Sequence, residues 1–283
     1  MSSRRTFVGS ALALPVAPGA LAATARDRRL DPRDSADLAT IIRKMRFRMD
    51  DGFIFNWLSG TKYGQVGSTL VPLMNMEVGG ISRIRNVADG FDVTSLERTF
   101  YTDIDTGRPL TRWRNPYTGE DIDIARGPVG PTTVRYLNTG DRVLPDTVGG
   151  AKFSGSSITR LVSAVDDDVW IANDAHVRLT RGASAGTFEV HEWSTSHAHL
   201  AELSDRRVMS VRAEIYLQEI TSWALWMKMG DRPGTVTSRG VGRKVLAYGE
   251  MPGSWRSLME TSHPDIARDP QAALDRQANR FEQ

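Results

Sequence analysis

Apolar and polar residues alternate most regularly between Met209 and Gln218. Met209, Val211, Ala213, Ile215 and Leu217 fall on one side of an extended chain, and Ser210, Arg212, Glu214, Tyr216 and Gln218 on the other. A period of two belongs to a strand with one face in a core. Shorter runs of the same kind predict strands over residues 53–58, 64–74, 81–87, 91–101, 132–137, 169–179 and 187–193. Ser59-Gly60 divides the first two, Gly79-Gly80 punctuates the next, and Asp89-Gly90 signals a hairpin. A Gly- and Ser-rich loop over 149–157 separates the halves of the pattern, and residues 181–186 close a hairpin. Helical spacing occurs near the two ends. Leu38, Ile41, Ile42 and Met45 follow Asp34 and Ser35, either of which can cap a helix, and residues 269–281 read as a polar helix.

The segment 100–124 carries two turns of one shape, Asp103-Ile104-Asp105-Thr106-Gly107 and Asn115-Pro116-Tyr117-Thr118-Gly119. Asp or Asn opens each turn, and a Gly four residues on supplies the left-handed position that closes it. The stretch between them has the length of a strand, so the segment reads as a three-stranded antiparallel meander. About ten short strands with one or two flanking helices predict a mainly β protein, an antiparallel barrel with lipocalin-like closure that hides its edges. A two-sheet β-sandwich is the alternative.

The composition is that of a folded chain: 40% hydrophobic and 25% charged residues over 283 positions. The 36 Lys and Arg outnumber 34 Asp and Glu only by the pair Arg4-Arg5. That pair falls in a leader, so the remainder is balanced and no nucleic-acid partner is expected. Cysteine is absent, which excludes disulfides, thiolate metal sites and cysteine nucleophiles. In the leader, Arg4-Arg5 and Phe7 precede an apolar run that holds Pro15, Pro18 and Gly19 and is too short for an anchor. Ala20 and Ala22 supply a cleavage site. Residues 1–22 are therefore expected to be a twin-arginine-type signal peptide, with export to the periplasm or beyond and no integral membrane span.

Two phrases carry a family resemblance. Trp113-Arg114-Asn115-Pro116-Tyr117-Thr118-Gly119-Glu120 and Trp226-Met227-Lys228-Met229-Gly230-Asp231-Arg232-Pro233-Gly234 resemble the signature segments of a bacterial and fungal family, number 1838 in the domain-of-unknown-function series. Ala224-Leu225 stands where that family usually has Leu-Pro. The resemblance implies a single domain over 36–262 followed by a tail helix over 263–283. It brings no mechanism with it, because the family has no established general activity.

The residues themselves suggest a ligand site. Arg112 and Arg114 share a strand face and suit a planar anion; the competing reading leaves them in solvent with Trp113 in the core. Arg212, Glu214 and Tyr216 line the barrel if the apolar side of their strand packs on an outer helix, and form wet surface if it faces inward. Trp223, Trp226, Met227 and Met229 fit either a pocket or a core. Lys228 sits inside that apolar phrase, where desolvation would favour the neutral amine that a base or Schiff-base nucleophile needs. Asp231 is its nearest carboxylate in sequence. The expected catalytic pair is thus Lys228 and Asp231, with Arg112, Trp113, Tyr117, Arg212, Glu214, Tyr216 and Trp226 binding the ligand.

At ~3.3 Å per residue, His191 would stand ~20 Å from His197, and His197 ~6.6 Å from His199. Only the last pair could share an ion, and the sequence shows no carboxylate at a recognised spacing from it. Ser194-Thr195-Ser196 also reads as a helix cap that would break the strand there. Asp166-Asp167-Asp168 lacks the spacing of a calcium loop and reads as a polar turn. No metal or cofactor is expected. The resulting expectation is an exported small-molecule-binding barrel for a small aromatic or apolar compound, with a non-redox step of lyase, isomerase or hydrolase type as its enzymatic extension. The alternative is a non-catalytic envelope carrier or sensor, and the sequence leaves the oligomeric state open.

Overall fold

In a computed structural model of the chain, which describes residues 28–124, 129–148, 150–180 and 187–278, the alternating segments pair into one antiparallel sheet. The first half of the chain runs through α1 (Ser35–Arg46), β1 (Gly52–Val66), β2 (Thr69–Val87), β3 (Gly90–Thr102), β4 (Arg112–Arg114), β5 (Asp121–Asp123), β6 (Val129–Leu137) and β7 (Arg142–Val143). The second half runs through β8 (Thr147–Val148), β9 (Ala151–Val165), β10 (Asp168–Thr180), β11 (Thr187–His199), α2 (Leu200–Ser204), β12 (Ala213–Thr221) and β13 (Thr235–Val245). Helices α3 (Gly253–Ser262), α4 (Pro264–Arg268) and α5 (Pro270–Ala278) follow. Eleven strands lie in the order β7-β6-β3-β2-β1-β13-β12-β11-β10-β9-β8, while β4 and β5 make a separate ribbon. The expected antiparallel barrel with flanking helices takes the form of a curled half-barrel. The second sheet, two three-residue strands, is too small to make a sandwich.

Glycine explains part of the curl. Gly60 and Gly240 face each other across β1 and β13. A Cβ on Gly60 would lie 2.0 Å from the Arg239 carbonyl oxygen, and one on Gly242 would lie 1.8 Å from that of Trp57. Strands this close on the concave side bend sharply, as glycine permits. Ser59-Gly60 therefore does not end a strand as expected: β1 runs unbroken for 15 residues, and the turn comes at Gly67-Ser68. Likewise β2 continues through Gly79-Gly80, because Gly79 makes room for Trp255 of α3. The loop expected over 149–157 is largely strand, since β9 begins at Ala151 and pairs with β10. The helix start expected at Ser194–Ser196 is absent, and β11 stays paired to β10 as far as His199.

Helices close the structure where the sheet cannot. Asp34 caps α1, accepting from the amides of Ala36 and Asp37. Ile41 and Met45 then bury completely against Val169, Ile171, Leu203 and Val211, plugging one mouth of the half-barrel. Each such side chain contributes about 1.5–3 kcal/mol. On the convex side Trp255 packs on β2 and β3, its indole N–H donating to the Arg98 carbonyl at 3.0 Å. The expected tail helix is two helices, α4 and α5, separated at Asp269-Pro270, and Leu274 of α5 is buried in the same cluster. Among the described residues no helix is long and apolar enough to cross a membrane. The leader, the 181–186 loop and residues 279–283 lie outside the described residues.

Candidate functional site

The concave face holds a recess of about 490 Å³, within the ~300–1,000 Å³ typical of small-molecule sites. Strand parity decides what lines it. Asn56, Leu58 and Lys62 of β1 face inward, as do Glu97, Thr99 and Tyr101 of β3. Glu192 of β11 and Ile215, Leu217 and Glu219 of β12 face the same space. The walls thus carry three carboxyls and one phenol, with the Lys62 and Lys244 amines and the Arg46 guanidinium as their cations.

These groups are organised. Lys62 Nζ donates to Glu219 Oε1 at 2.7 Å and to Ser238 Oγ at 2.8 Å, and the Ser238 hydroxyl donates to Glu219 Oε1 at 2.7 Å. Glu192 stands directly opposite Glu219 in the β11–β12 register. Glu97 projects from the β3 wall, with Thr99 Oγ1 3.4 Å from its Oε1. Glu97 is exposed to the open volume of the recess, with the sheet walls crowding it.

Burial, reinforced by the charges of Glu219 and Glu192, pushes the Glu97 carboxyl up from 4.5 to about 7. Burial and Glu219 also raise Glu192. Glu219 behaves differently: burial opposes its ionisation, but the charge and hydrogen bond of Lys62 prevail and hold it below the ordinary carboxyl value. Burial likewise works against the Lys62 charge, and Glu219 outweighs it, leaving the ammonium stabilised. Burial raises the Tyr101 phenol as well. At neutral pH the recess therefore contains an ion pair beside a carboxyl that can either give or take a proton.

The far mouth is closed by the meander. Thr102 bridges to Pro109, and the amides of Gly107 and Gly119 donate to the carbonyls of Asp103 and Asn115, forming the two expected turns. Trp113 turns inward, its indole N–H donating to the Leu73 carbonyl at 3.2 Å. Its ring meets that of Trp226 edge-on at 5.7 Å. Asn115 is fully buried; its Nδ2 donates to the Met227 carbonyl at 2.9 Å and to Met229 Sδ at 3.2 Å, while Oδ1 accepts from the Tyr117 amide. The two sequence phrases, more than a hundred residues apart, are halves of one plug. Residues 50–280 match the family described as "Protein of unknown function (DUF1838)". The chain belongs to the DUF1838 family. No curated protein matches it.

In this DUF1838 protein, one of the nine sequence-predicted site residues, Trp226, borders the recess. Trp113 and Tyr117 sit in the plug behind it, with the Tyr117 ring meeting Trp223 at 5.3 Å and its hydroxyl against Gly64. Lys228 and Asp231 are exposed. The short 3-10 turn Leu225–Met227 aims Met227 into the plug, and Lys228 follows in the left-handed conformation at φ 53°, turning its amine to solvent before Met229 re-enters. Arg112 is exposed on the outer side of the ribbon.

Arg212, Glu214 and Tyr216 lie on the convex surface, because Ala213, Ile215 and Leu217 take the inward positions of β12. Arg212 pairs there with Glu250 at 2.7 Å, and the Tyr216 hydroxyl donates to Glu214 at 3.1 Å. The charged and phenolic groups lining the recess, Lys62, Glu97, Tyr101, Glu192 and Glu219, were not among the expected residues. Their signal is charge on the apolar side of a strand: Glu219 shares parity with Ile215 and Leu217, and Glu192 with Phe188 and Val190.

Metal-capable groups occur on the convex face. Asp168, His197 and His199 bring one donor atom each within 4.8 Å of one another, and so do His176, Glu189 and His191. The carboxylate that the sequence did not pair with His197 and His199 is Asp168, placed opposite His199 by the β10–β11 register. His197 Nε2 lies 2.7 Å from Asp168 Oδ1, and the imidazole stacks on Trp170 at 4.2 Å. Asp166 and Asp167 form the expected polar turn.

Proposed function

We propose that the protein binds a small, partly apolar organic molecule in the concave recess and acts on it by non-redox acid–base chemistry of lyase, isomerase or hydrolase type. Glu97 is the proton-transferring group, and the Lys62–Glu219 pair, with Tyr101, orients polar atoms of the ligand. The observation carrying this reading is the convergence of three carboxyls, a phenol and the Lys62 amine on one partly apolar hollow that Arg46 and Lys244 also border. A pure carrier has no use for a carboxyl balanced near neutrality, whereas a general acid or base works best there. We further infer export through a twin-arginine leader, on the strength of Arg4-Arg5 and the apolar run behind them.

The test is a small-molecule extract incubated with purified wild-type protein or with Glu97→Gln and compared by mass spectrometry. Conversion of a compound by the wild type and not by the variant is expected, with loss of conversion as pH moves away from neutrality. A compound retained unchanged by both proteins would replace the enzyme reading with the carrier one.

A further inference from the structure

A second recess, of about 420 Å³, lies where the two edges of the half-barrel approach each other, and Arg46 borders both it and the first. Arg46 reaches it from the C-terminal end of α1 and Arg142 from edge strand β7. The two guanidinium groups meet on the same partners. Arg46 Nη1 donates to Thr159 Oγ1 at 3.0 Å and to Asn173 Oδ1 at 2.9 Å; Arg142 Nη2 donates to Thr159 Oγ1 at 2.9 Å. Ser157 and Thr159 hydroxyls donate to the same Asn173 Oδ1 at 2.8 and 3.0 Å. Donors outnumber acceptors here. Each guanidinium carries five N–H bonds, and an amide oxygen has two lone pairs.

The charges are as unbalanced as the hydrogen bonds. Among the described residues no carboxylate forms an ion pair with Arg46 or Arg142; the Glu192 carboxyl acts on Arg46 only at longer range, from the first recess. Asp141 borders the recess, but it is exposed and holds the Thr139 hydroxyl at 2.9 Å. Burial and the neighbouring Arg46 both lower the Arg142 pKa. Two guanidinium groups that share a hydroxyl repel each other unless an anion stands between them. The rest of the wall is apolar and aromatic: Val134, Tyr136, Leu144, Phe153 and Val177. The Arg142 guanidinium packs over the Tyr136 ring at 5.0 Å, which fixes its plane.

We propose that this recess is a binding site for an organic carboxylate, the anion gripped by Arg46 and Arg142 and the apolar body lying against Tyr136, Phe153 and Val177. Guanidinium matches a carboxylate in plane and spacing, and the apolar wall excludes a bare inorganic ion as the best occupant. The site stands whether or not Glu97 performs chemistry, because it is read by binding and not by turnover.

The test is calorimetric titration of the purified chain with octanoate and with phenylacetate, against octanol and inorganic phosphate. Variants Arg142→Gln and Arg112→Gln are compared, each checked for fold by circular dichroism. One equivalent of carboxylate should bind, weakened at least tenfold by Arg142→Gln and unchanged by Arg112→Gln, with the affinity falling as salt rises. Arg142 lies at the sheet edge and is half-buried, so its loss leaves the core intact. Equal binding by the Arg142→Gln protein, no binding of either carboxylate, or phosphate binding more tightly than both would overturn the assignment.

Discussion

Replacing Glu97 by glutamine keeps the shape of the side chain and removes its titration. In the wild type the folded-state value stands at about 7 against an ordinary 4.5, a difference worth about 3.4 kcal/mol at ~1.36 kcal/mol per pKa unit. That figure belongs to a carboxyl shut away from water. Glu97 faces the open volume of the recess, and screening there reduces the expected effect to roughly 1–2 kcal/mol.

The sign follows from which form the fold prefers. A raised carboxyl value means that the native state binds the proton more tightly than the unfolded chain. Its stabilising contribution is complete below about pH 4.5 and is lost as pH rises through about 7. Glu97→Gln has no such loss. Urea unfolding of both proteins at intervals from about pH 4.5 to pH 8 isolates the effect in the difference between them, since every other group is common to both. The variant should gain roughly 1–2 kcal/mol on the wild type across that range. Glu192 and Glu219 face the same carboxyl, so part of the titration passes to Glu192 and the transition broadens. A difference that stays flat with pH, or one that grows in favour of the wild type, would refute the account of the recess.

Two further perturbations test its supports. Lys62→Met strands the Glu219 carboxylate, whose side chain and that of Lys62 are only 16% and 14% exposed; about 2–4 kcal/mol should be lost, and most of it regained in Lys62→Met/Glu219→Gln, as a double-mutant unfolding cycle would show. Asn115→Asp keeps the oxygen that accepts from the Tyr117 amide but loses the amide donor to Met227 and Met229; thermal unfolding should report a loss of about 1–3 kcal/mol, whereas a residue that merely opened a turn would tolerate the change.

Alternation was legible because each strand buries one face, and the turn chemistry of the 100–124 segment was legible because Gly107 and Gly119 leave few other conformations, at φ 67° and 74°. Strand ends were misplaced wherever glycine served curvature or packing instead of a turn, as at Gly60 and Gly79. The recess was harder to read for a geometric reason. Which side of β12 faces inward depends on the whole sheet's curl, and local pattern cannot supply that. Dense polar chemistry near the signature phrases drew the expectation toward Lys228, Arg112 and Tyr216. The recess instead collects isolated charges from β1, β3, β11 and β12 that no short stretch displays together.

Buried charge alone does not mark a site, and this protein contains the contrast that makes the distinction. Lys244 is fully buried in the core, at 1% exposure, and burial lowers its pKa far below the ordinary value. Its ammonium nevertheless has three acceptors: the carbonyls of Lys44 and Phe47 at 2.6 and 2.8 Å and Ser210 Oγ at 2.9 Å. Those carbonyls lie at the C-terminal end of α1, where a cation complements the helix dipole. Lys44 is similarly spent on the carbonyls of Leu203 and Asp205. Lys244 fastens α1 to the sheet and Lys44 ties α1 to α2 and the loop after it, and structure accounts for both. Nothing comparable accounts for Glu97 and Glu192. They face open volume and repel each other and Glu219, and the attraction of Arg46 for Glu192 and of Lys62 for Glu97 does not outweigh the burial that raises both carboxyls. Groups that a fold carries at a cost to its own stability are the ones to assign to chemistry.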